Sequence, residues 1–214
     1  MSEPVKPPRQ RSSAQREKSR ATRRRIREAA ERLFIGHGYL ATTIEAIAAE
    51  AAVAVQTVSF VFGTKRALLA EVLDVATAGD EAPVPILERP WVDEARRETD
   101  PRRAVRLIAH HGCRIVARLA PVYEVVHGAA ASDPDIAALL QRDKQRRLDN
   151  QVELVRMLDD KGALAPGRDV RWAADVLFAL LSHEMHQLLV VDRGWSLDAW
   201  AHWLADALIA QLLA

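Results

Sequence analysis

Apolar residues return every three or four positions along most of the chain and seldom alternate, which is the rhythm of helices rather than strands. The first stripe is Ile26, Ala29, Ala30, Leu33 and Phe34, and Gly36 and Gly38 stand where it should end, since glycine accepts the left-handed backbone of a helix C-terminus. Thr43 is placed to cap a second helix, with Glu45 in its first turn and Ile44, Ile47, Ala48 and Ala51 on its buried side. About three residues, 52–54, separate it from a short segment, Val55 to Phe62. Gly63 and Thr64 break the pattern again, and a fourth helix is expected from about Lys65 to Ala78.

Residues 79–101 hold Pro83, Pro85, Pro90 and Pro101 around Trp91, so this stretch is expected to be irregular and to serve as a hinge or lid. One helix is predicted over about 102–119 and another from Pro121 to about 131. Asp133-Pro134-Asp135 combines a cap, a proline at the first helical position and an acid on the helix dipole, and opens a helix to about residue 161. Asp169 opens the next, ended by Gly194, and Ser196 caps the last, to about Leu213. The pattern predicts an all-α fold of about nine helices: a basic arm without structure over 1–19, a three-helix unit over 20–66 and a larger helical domain over 67–214.

Composition narrows the picture. Apolar residues make up 49% of the 214, enough for a sizeable core, and β-branched and aromatic residues are few. No run of 18 uncharged apolar residues occurs, and no hydrophobic signal core follows the Arg-rich start, so neither a membrane span nor secretion is expected. The single Cys113 cannot form an intrachain disulfide, which suits a reducing, cytoplasmic setting. The net charge of +1 conceals an asymmetry: residues 1–27 carry ten basic side chains against Glu3 and Glu17, on an otherwise acidic body. That arrangement points to a polyanion partner at one end.

Two short helices joined by a three-residue turn have the geometry of a helix-turn-helix, a weak signal on spacing alone. The residues make it specific. The string Gly38-Tyr39-Leu40-Ala41-Thr42-Thr43-Ile44-Glu45-Ala46-Ile47-Ala48, then Val53-Ala54-Val55-Gln56-Thr57-Val58 and Phe62-Gly63-Thr64-Lys65-Arg66-Ala67-Leu68-Leu69, resembles the DNA-binding domain of the TetR family over about residues 20–75. From residue type and position, Val55, Gln56, Ser59 and Phe60 are expected to face base edges, opposite Val58 and Phe62. Gln56 is the one able to contact adenine bidentately, and Val55 and Phe60 suit thymine methyls. The resemblance implies phosphate contacts at Thr43, Thr57 and Lys65, and Arg20, Arg23 and Arg24 would add phosphate or minor-groove contacts. The chain departs from the family pattern at Ala54, where a Ser or Thr cap is usual, at Ala52, where the turn usually has glycine, and at Ser59 and Val61, in place of Tyr and His.

The last two helices are apolar nearly all round, which buries them on more than one side. In the family the resemblance names, such helices form a four-helix dimer interface, so a homodimer is expected on a double-stranded DNA operator. His110, Cys113, Tyr123, His127, Trp172, His183, His186 and Gln187 lie among apolar neighbours and are the candidates for a small-molecule effector pocket. His183-Glu184-Met185-His186 is one residue short of a zinc-protease helix and has no third ligand at a diagnostic spacing, so no metal is expected. No catalytic constellation or phosphate loop is visible, and the reading is a ligand-responsive repressor with no enzyme activity and no cofactor. Two alternatives stand beside it: a helical ligand-binding protein of the same fold that has lost DNA reading, and a metal-dependent enzyme built on the His cluster.

Overall fold

A computed structural model describes residues 13–82 and 84–213. Among the described residues the chain is helical, with ten α-helices, one 3-10 turn and one π-helical segment. It divides into two compact units, Met1–Leu69 and Ala70–Ala214.

The first unit contains α1 (Ser13–Ala41), α2 (Ile44–Glu50), α3 (Val55–Phe62) and the start of α4 (Lys65–Ala78). Helix α1 begins well before the position expected for it, so residues 13–19 of the arm are helical, and residues 1–12 lie outside the described residues. The reason is local: Ala14, Gln15, Arg16, Glu17 and Lys18 are all good helix formers. Helical geometry passes through Gly36 and breaks at Gly38, whose φ of 80° a side chain would resist. Ile26, Ala29, Ala30 and Phe34 of α1, Ile47 and Ala48 of α2, and Val58 and Phe62 of α3 are buried.

In the second unit α6 (Pro101–Ala130) packs along α7 (Pro134–Asp159) and α10 (Leu197–Leu212), with α5 (Pro90–Arg97) on one side and α8 (Val170–Leu180) against α7. Three expectations are corrected. The stretch 79–101 is not wholly irregular: a 3-10 turn, Ile86–Glu88, precedes α5. Pro90 at its first position, Asp93 in its first turn and Arg96 and Arg97 in its last are the signals of a short helix. Second, α6 is one helix of 30 residues and not two, because Pro121 lies inside it on the exposed side. The flanking apolar residues Val116, Leu119, Ala120, Val122 and Tyr123 stay buried, which offsets the hydrogen bond the proline removes.

Third, the helix expected over 170–192 is broken. Leu181 takes φ −94° and ψ 65°, Ser182 caps a new turn through Met185 N–H, and α9 (His183–His186) passes into a π-helical segment, Gln187–Asp192. The capping of α7 by Asp133, α8 by Asp169 and α10 by Ser196 agrees with expectation. Among the described residues one segment, Val170–Asp192, is long and apolar enough to cross a membrane by length and composition. The segment is broken at Leu181, carries the buried polar Ser182, His183 and His186, and has 33% of its most apolar window buried.

Candidate nucleic-acid interface and helical-domain cavity

The axes of α2 and α3 turn through 106°, within the range of a helix-turn-helix. Thr43 caps α2, its hydroxyl oxygen accepting from Ala46 N–H at 3.1 Å. The turn closes through Ala51 N–H to the Ile47 carbonyl and Val53 N–H to the Ala48 carbonyl, both 2.9 Å. Ala52 sits at φ 51°, the one non-glycine left-handed backbone among the described residues. The left-handed position is therefore kept although alanine replaces the usual glycine there, at a cost of about 1 kcal/mol. Ala54 gives α3 no side-chain cap.

Arg25, which the sequence did not single out, compensates. Its guanidinium donates to the Ala51 carbonyl at 2.8 and 3.3 Å and to the Ala52 carbonyl at 3.0 Å. A cation on the carbonyls just past the C-terminus of α2 suits both the helix dipole and the orphan acceptors of the turn. Its signal in the sequence was faint, an arginine beside the buried Ile26 stripe in a run of arginines.

Helix α3 presents two faces. Val58 and Phe62 are buried, while Val55, Gln56, Ser59 and Phe60 are exposed, Phe60 by 83%. Thr57 is half-buried on the same helix and Thr43 is exposed at the start of α2. Two expected phosphate ligands, Lys65 and Arg23, make contacts within the protein. The Lys65 ammonium donates to the Tyr39 and Thr42 carbonyls, both at 2.8 Å, and lies 4.3 Å from the Tyr39 ring centroid. The kink at Gly38 leaves carbonyls that need donors, and Lys65 supplies them. Arg23 donates to the Val61 carbonyl at 3.2 Å and covers the Phe62 ring at 4.6 Å, so it braces the end of α3. Arg20 and Arg24 are exposed on α1.

In the second unit, α7 carries an unusual stripe. Its buried positions include Ile136, Leu139 and Leu140, then Asp143 and Gln151, then Leu154, Val155 and Leu158, with half-buried Arg147 and Asn150 and exposed Arg146 beside the polar pair. The polar middle keeps the helical spacing of the apolar ends. Opposite it stand Ile108, Gly112, Ile115 and Leu119 of α6, with Trp91 of α5, Ile86, Thr77 and Leu181, and together they line a cavity of about 80 Å³. A second hollow of about 280 Å³ shares Thr77, Ile86, Arg146 and Asn150 with it and adds Asp74, Ala78, Val84 and Pro85. The proline-rich segment thus contributes wall to both.

The polar wall is largely self-paired. Arg146 donates to Asp74 at 2.6 Å and to Asp143 at 2.8 Å. Burial opposes its charge, but these two carboxylates outweigh that and hold its pKa above the ordinary value. Arg147 donates to the Leu181 carbonyl at 3.2 Å and lies 3.9 Å from the Phe178 ring centroid, so it pins the break between α8 and α9, and burial lowers its pKa. Gly112 lets Leu181 approach, because a β-carbon there would meet the Leu181 side chain at 2.5 Å. Gln151 is the exception: it is 3% exposed, and its amide oxygen has no hydrogen-bond partner among the described residues.

None of the eight residues expected to form the pocket lines this cavity. Tyr123, His127, His183 and His186 instead build an aromatic ladder with Trp200, at centroid separations of 6.4, 4.5, 6.3 and 5.5 Å in chain of contact. His183 Nε2 lies 2.7 Å from Glu124 Oε1. Burial, then the neighbouring His183, holds the His186 pKa down, and burial pushes Tyr123 up to about 12. Cys113 is fully buried, His110 is half-buried edge-on to His111, Trp172 is covered by Arg168 at 3.9 Å, and Gln187 donates to Asp192. Among the described residues no three of His, Cys, Asp and Glu gather as metal ligands. The sequence signal that finds the cavity is the polar interruption of the α7 stripe, which lone histidines and aromatics mask.

Residues 26–72 match the family model described as bacterial regulatory proteins, tetR family. No curated protein sequence matches the chain. Solved structures match its fold. SmeT of Stenotrophomonas maltophilia in complex with triclosan is 24% identical, with 91% of this chain and 92% of that one covered and a TM-score of 0.71. NalD, the secondary repressor of the MexAB-OprM multidrug efflux pump in Pseudomonas aeruginosa, is 22% identical, covering 92% and 98%, with a TM-score of 0.69. FadR of Bacillus subtilis in complex with stearoyl-CoA is 19% identical, covering 87% and 97%, also with a TM-score of 0.69.

Proposed function

We propose that this chain, whose residues 26–72 match the tetR family of bacterial regulatory proteins, is a repressor that grips a palindromic DNA operator as a homodimer and lets go when a small molecule fills its helical domain. The observation that carries the reading is the outer face of α3. A large aromatic that is 83% exposed, Phe60, sits beside an exposed amide, Gln56, on a short helix whose other face is buried. A monomer gains nothing from exposing such a ring, whereas the major groove offers thymine methyls to Phe60 and Val55 and adenine to Gln56. Thr43 and the exposed Arg20 and Arg24 supply phosphate contacts, and Lys65 and Arg23 position the reader from within.

Dimerisation is supported by the C-terminal elements. Leu188, Val191 and Trp195 are exposed and Leu189, Val190 and Trp203 half-buried, which is a large apolar surface for one protomer to leave in water. A two-fold dimer would carry two readers, as the helix-turn-helix motif in general requires for half-sites about 34–36 Å apart. The effector site is the cavity between α6 and α7, whose apolar wall carries a few polar groups, as small-molecule sites do. Helix α4 is continuous from Lys65, at the reader, to Thr77, on the cavity wall, and so offers a route for coupling. The role is binding, with no catalytic step assigned.

Selection of bound duplex from a random pool tests this reading. The expected product is an inverted repeat whose half-site centres lie about one DNA turn apart, and binding that weakens steeply with salt. Failure to retain any duplex at low salt would overturn it.

A further inference from the structure

Resting on the reading of the α6–α7 cavity as an effector site, we propose that its ligand is an uncharged, mostly apolar alcohol or phenol whose hydroxyl meets the Gln151 amide. The argument starts with charge. The cavity and the hollow beside it are lined by Asp74, Asp143, Arg146 and Arg147, two carboxylates and two guanidiniums. Arg146 bridges both carboxylates, and Arg147 is engaged by the Leu181 carbonyl and the Phe178 ring. The four charges sum to zero and each guanidinium is already held inside the protein, so an ionic ligand would have to break one of these contacts to gain a counter-ion.

One polar group in the wall does remain unmatched. Gln151 is 3% exposed, lines the cavity and has an amide oxygen with no partner among the described residues. A buried acceptor left unmade carries its full desolvation cost, and a ligand that donates to it recovers that cost. A hydroxyl both donates and accepts, so it satisfies the amide whichever way the amide is turned. Most of the remaining wall, Ile86, Trp91, Ile108, Ile115, Leu119 and Leu154, is apolar and fits a ring or a branched hydrocarbon body; Thr77 spends its hydroxyl on the Leu73 carbonyl, and Asn150 is only half-buried.

The test uses four probes that share one ring system: 1-naphthol, 1-methoxynaphthalene, 1-naphthoate and 1-naphthylmethylammonium, titrated into the full chain at pH 7 by calorimetry. 1-Naphthol should bind about tenfold more tightly than the methoxy compound, which has the same body and no donor. The two ions should bind more weakly than either. Gln151→Met, which keeps the volume of the side chain, should erase the preference for naphthol, and Ile115→Trp, which fills the cavity, should abolish binding of all four.

Tighter binding of the naphthoate or the ammonium, equal binding of naphthol and its methyl ether, or no binding of any probe would each overturn the assignment. Operator release is measured separately. A Gln151-dependent naphthol complex that still holds its operator leaves the ligand class standing and sinks the effector reading instead.

Discussion

The outer face of α3 and the wall of the α6–α7 cavity are both places where a helix breaks its own pattern, but in opposite directions. On α3 apolar side chains, Val55 and Phe60, stand in water where polar ones are expected. On α7 polar side chains, Asp143 and Gln151, are buried where apolar ones are expected. Each departure costs stability in the isolated molecule, and each marks a surface whose partner is missing. The reader's departure is convex, short and local. The cavity's departure makes sense only with α6 opposite, a helix that comes to it from across a loop.

The largest effect that separates the two regions is solvent access. Cys113 lies beside Gly112 in α6, is fully buried, and burial pushes its thiol from 9.0 up to about 12. At pH 8 the thiolate fraction is then about a thousandfold lower than for a free thiol of ordinary pKa. Iodoacetamide should therefore label Cys113 only through unfolding, at a rate that follows denaturant concentration. Rapid labelling of the folded protein would mean that the interior of the second unit is open, and the contrast with the exposed reader would collapse.

Exchanging the two amides sharpens the comparison further. Gln56→Ala should lower operator affinity about tenfold to a hundredfold and relax preference at one base pair, with the melting temperature unchanged. Its salt slope should stay the same, because no phosphate contact is lost. Gln151→Met should do the reverse: ligand-free operator affinity unchanged, and stability raised by about 1 kcal/mol as an unmatched buried acceptor disappears. If Gln56→Ala melted the protein, or Gln151→Met released DNA without ligand, the division of labour would be wrong.

Arg25 tests how much the reader depends on a brace. Its three hydrogen bonds hold the carbonyls of a turn that has neither the usual glycine nor a side-chain cap on the next helix. Arg25→Met keeps the aliphatic stem and removes the donors, and should cost about 2 kcal/mol in thermal or urea unfolding. Operator affinity should fall with it even though Arg25 reaches the carbonyls of the turn and not the outer face of α3. A loss of affinity without a loss of stability would instead make Arg25 a direct DNA contact.

These particulars explain what could be read from the sequence alone. Caps are local, so Thr43, Asp133, Asp169 and Ser196 announced their helices and the structure places each at a helix start. Burial on a short helix is local too, which is why Val58 and Phe62 fall inside and Gln56 and Phe60 outside, as their spacing implied. Pro121 misled, because whether a proline ends a long helix depends on the packing that flanks it. The break at Leu181 was invisible for the same reason: it depends on Arg147 reaching across from α7 and on Gly112 making room from α6. The histidines drew attention by their chemistry and were assigned to the pocket, yet four of the eight candidates form a stacked ladder with neighbouring aromatics. Lys65 and Arg23 showed the general difficulty. A cation near a DNA-binding helix can serve the ligand or the fold, and only the carbonyls exposed by a kink or a helix end decide which.

The smallest expected effect is the most local. Ala52 holds φ 51° at the turn between α2 and α3. Alanine resists that backbone because its β-carbon crowds the next carbonyl, whereas glycine adopts it freely. Glycine also gains more freedom in the unfolded chain, which offsets part of the benefit. The strain term is the larger of the two, so Ala52→Gly should stabilise the protein by up to about 1 kcal/mol, a rise of a few degrees in melting temperature. The same relief should appear in Arg25→Met/Ala52→Gly, where part of the stability lost with the brace returns, because both residues act on the same turn. A glycine that lowered stability in both backgrounds would show that the left-handed conformation is held without strain, and that Arg25 has some other reason to reach the Ala51 and Ala52 carbonyls.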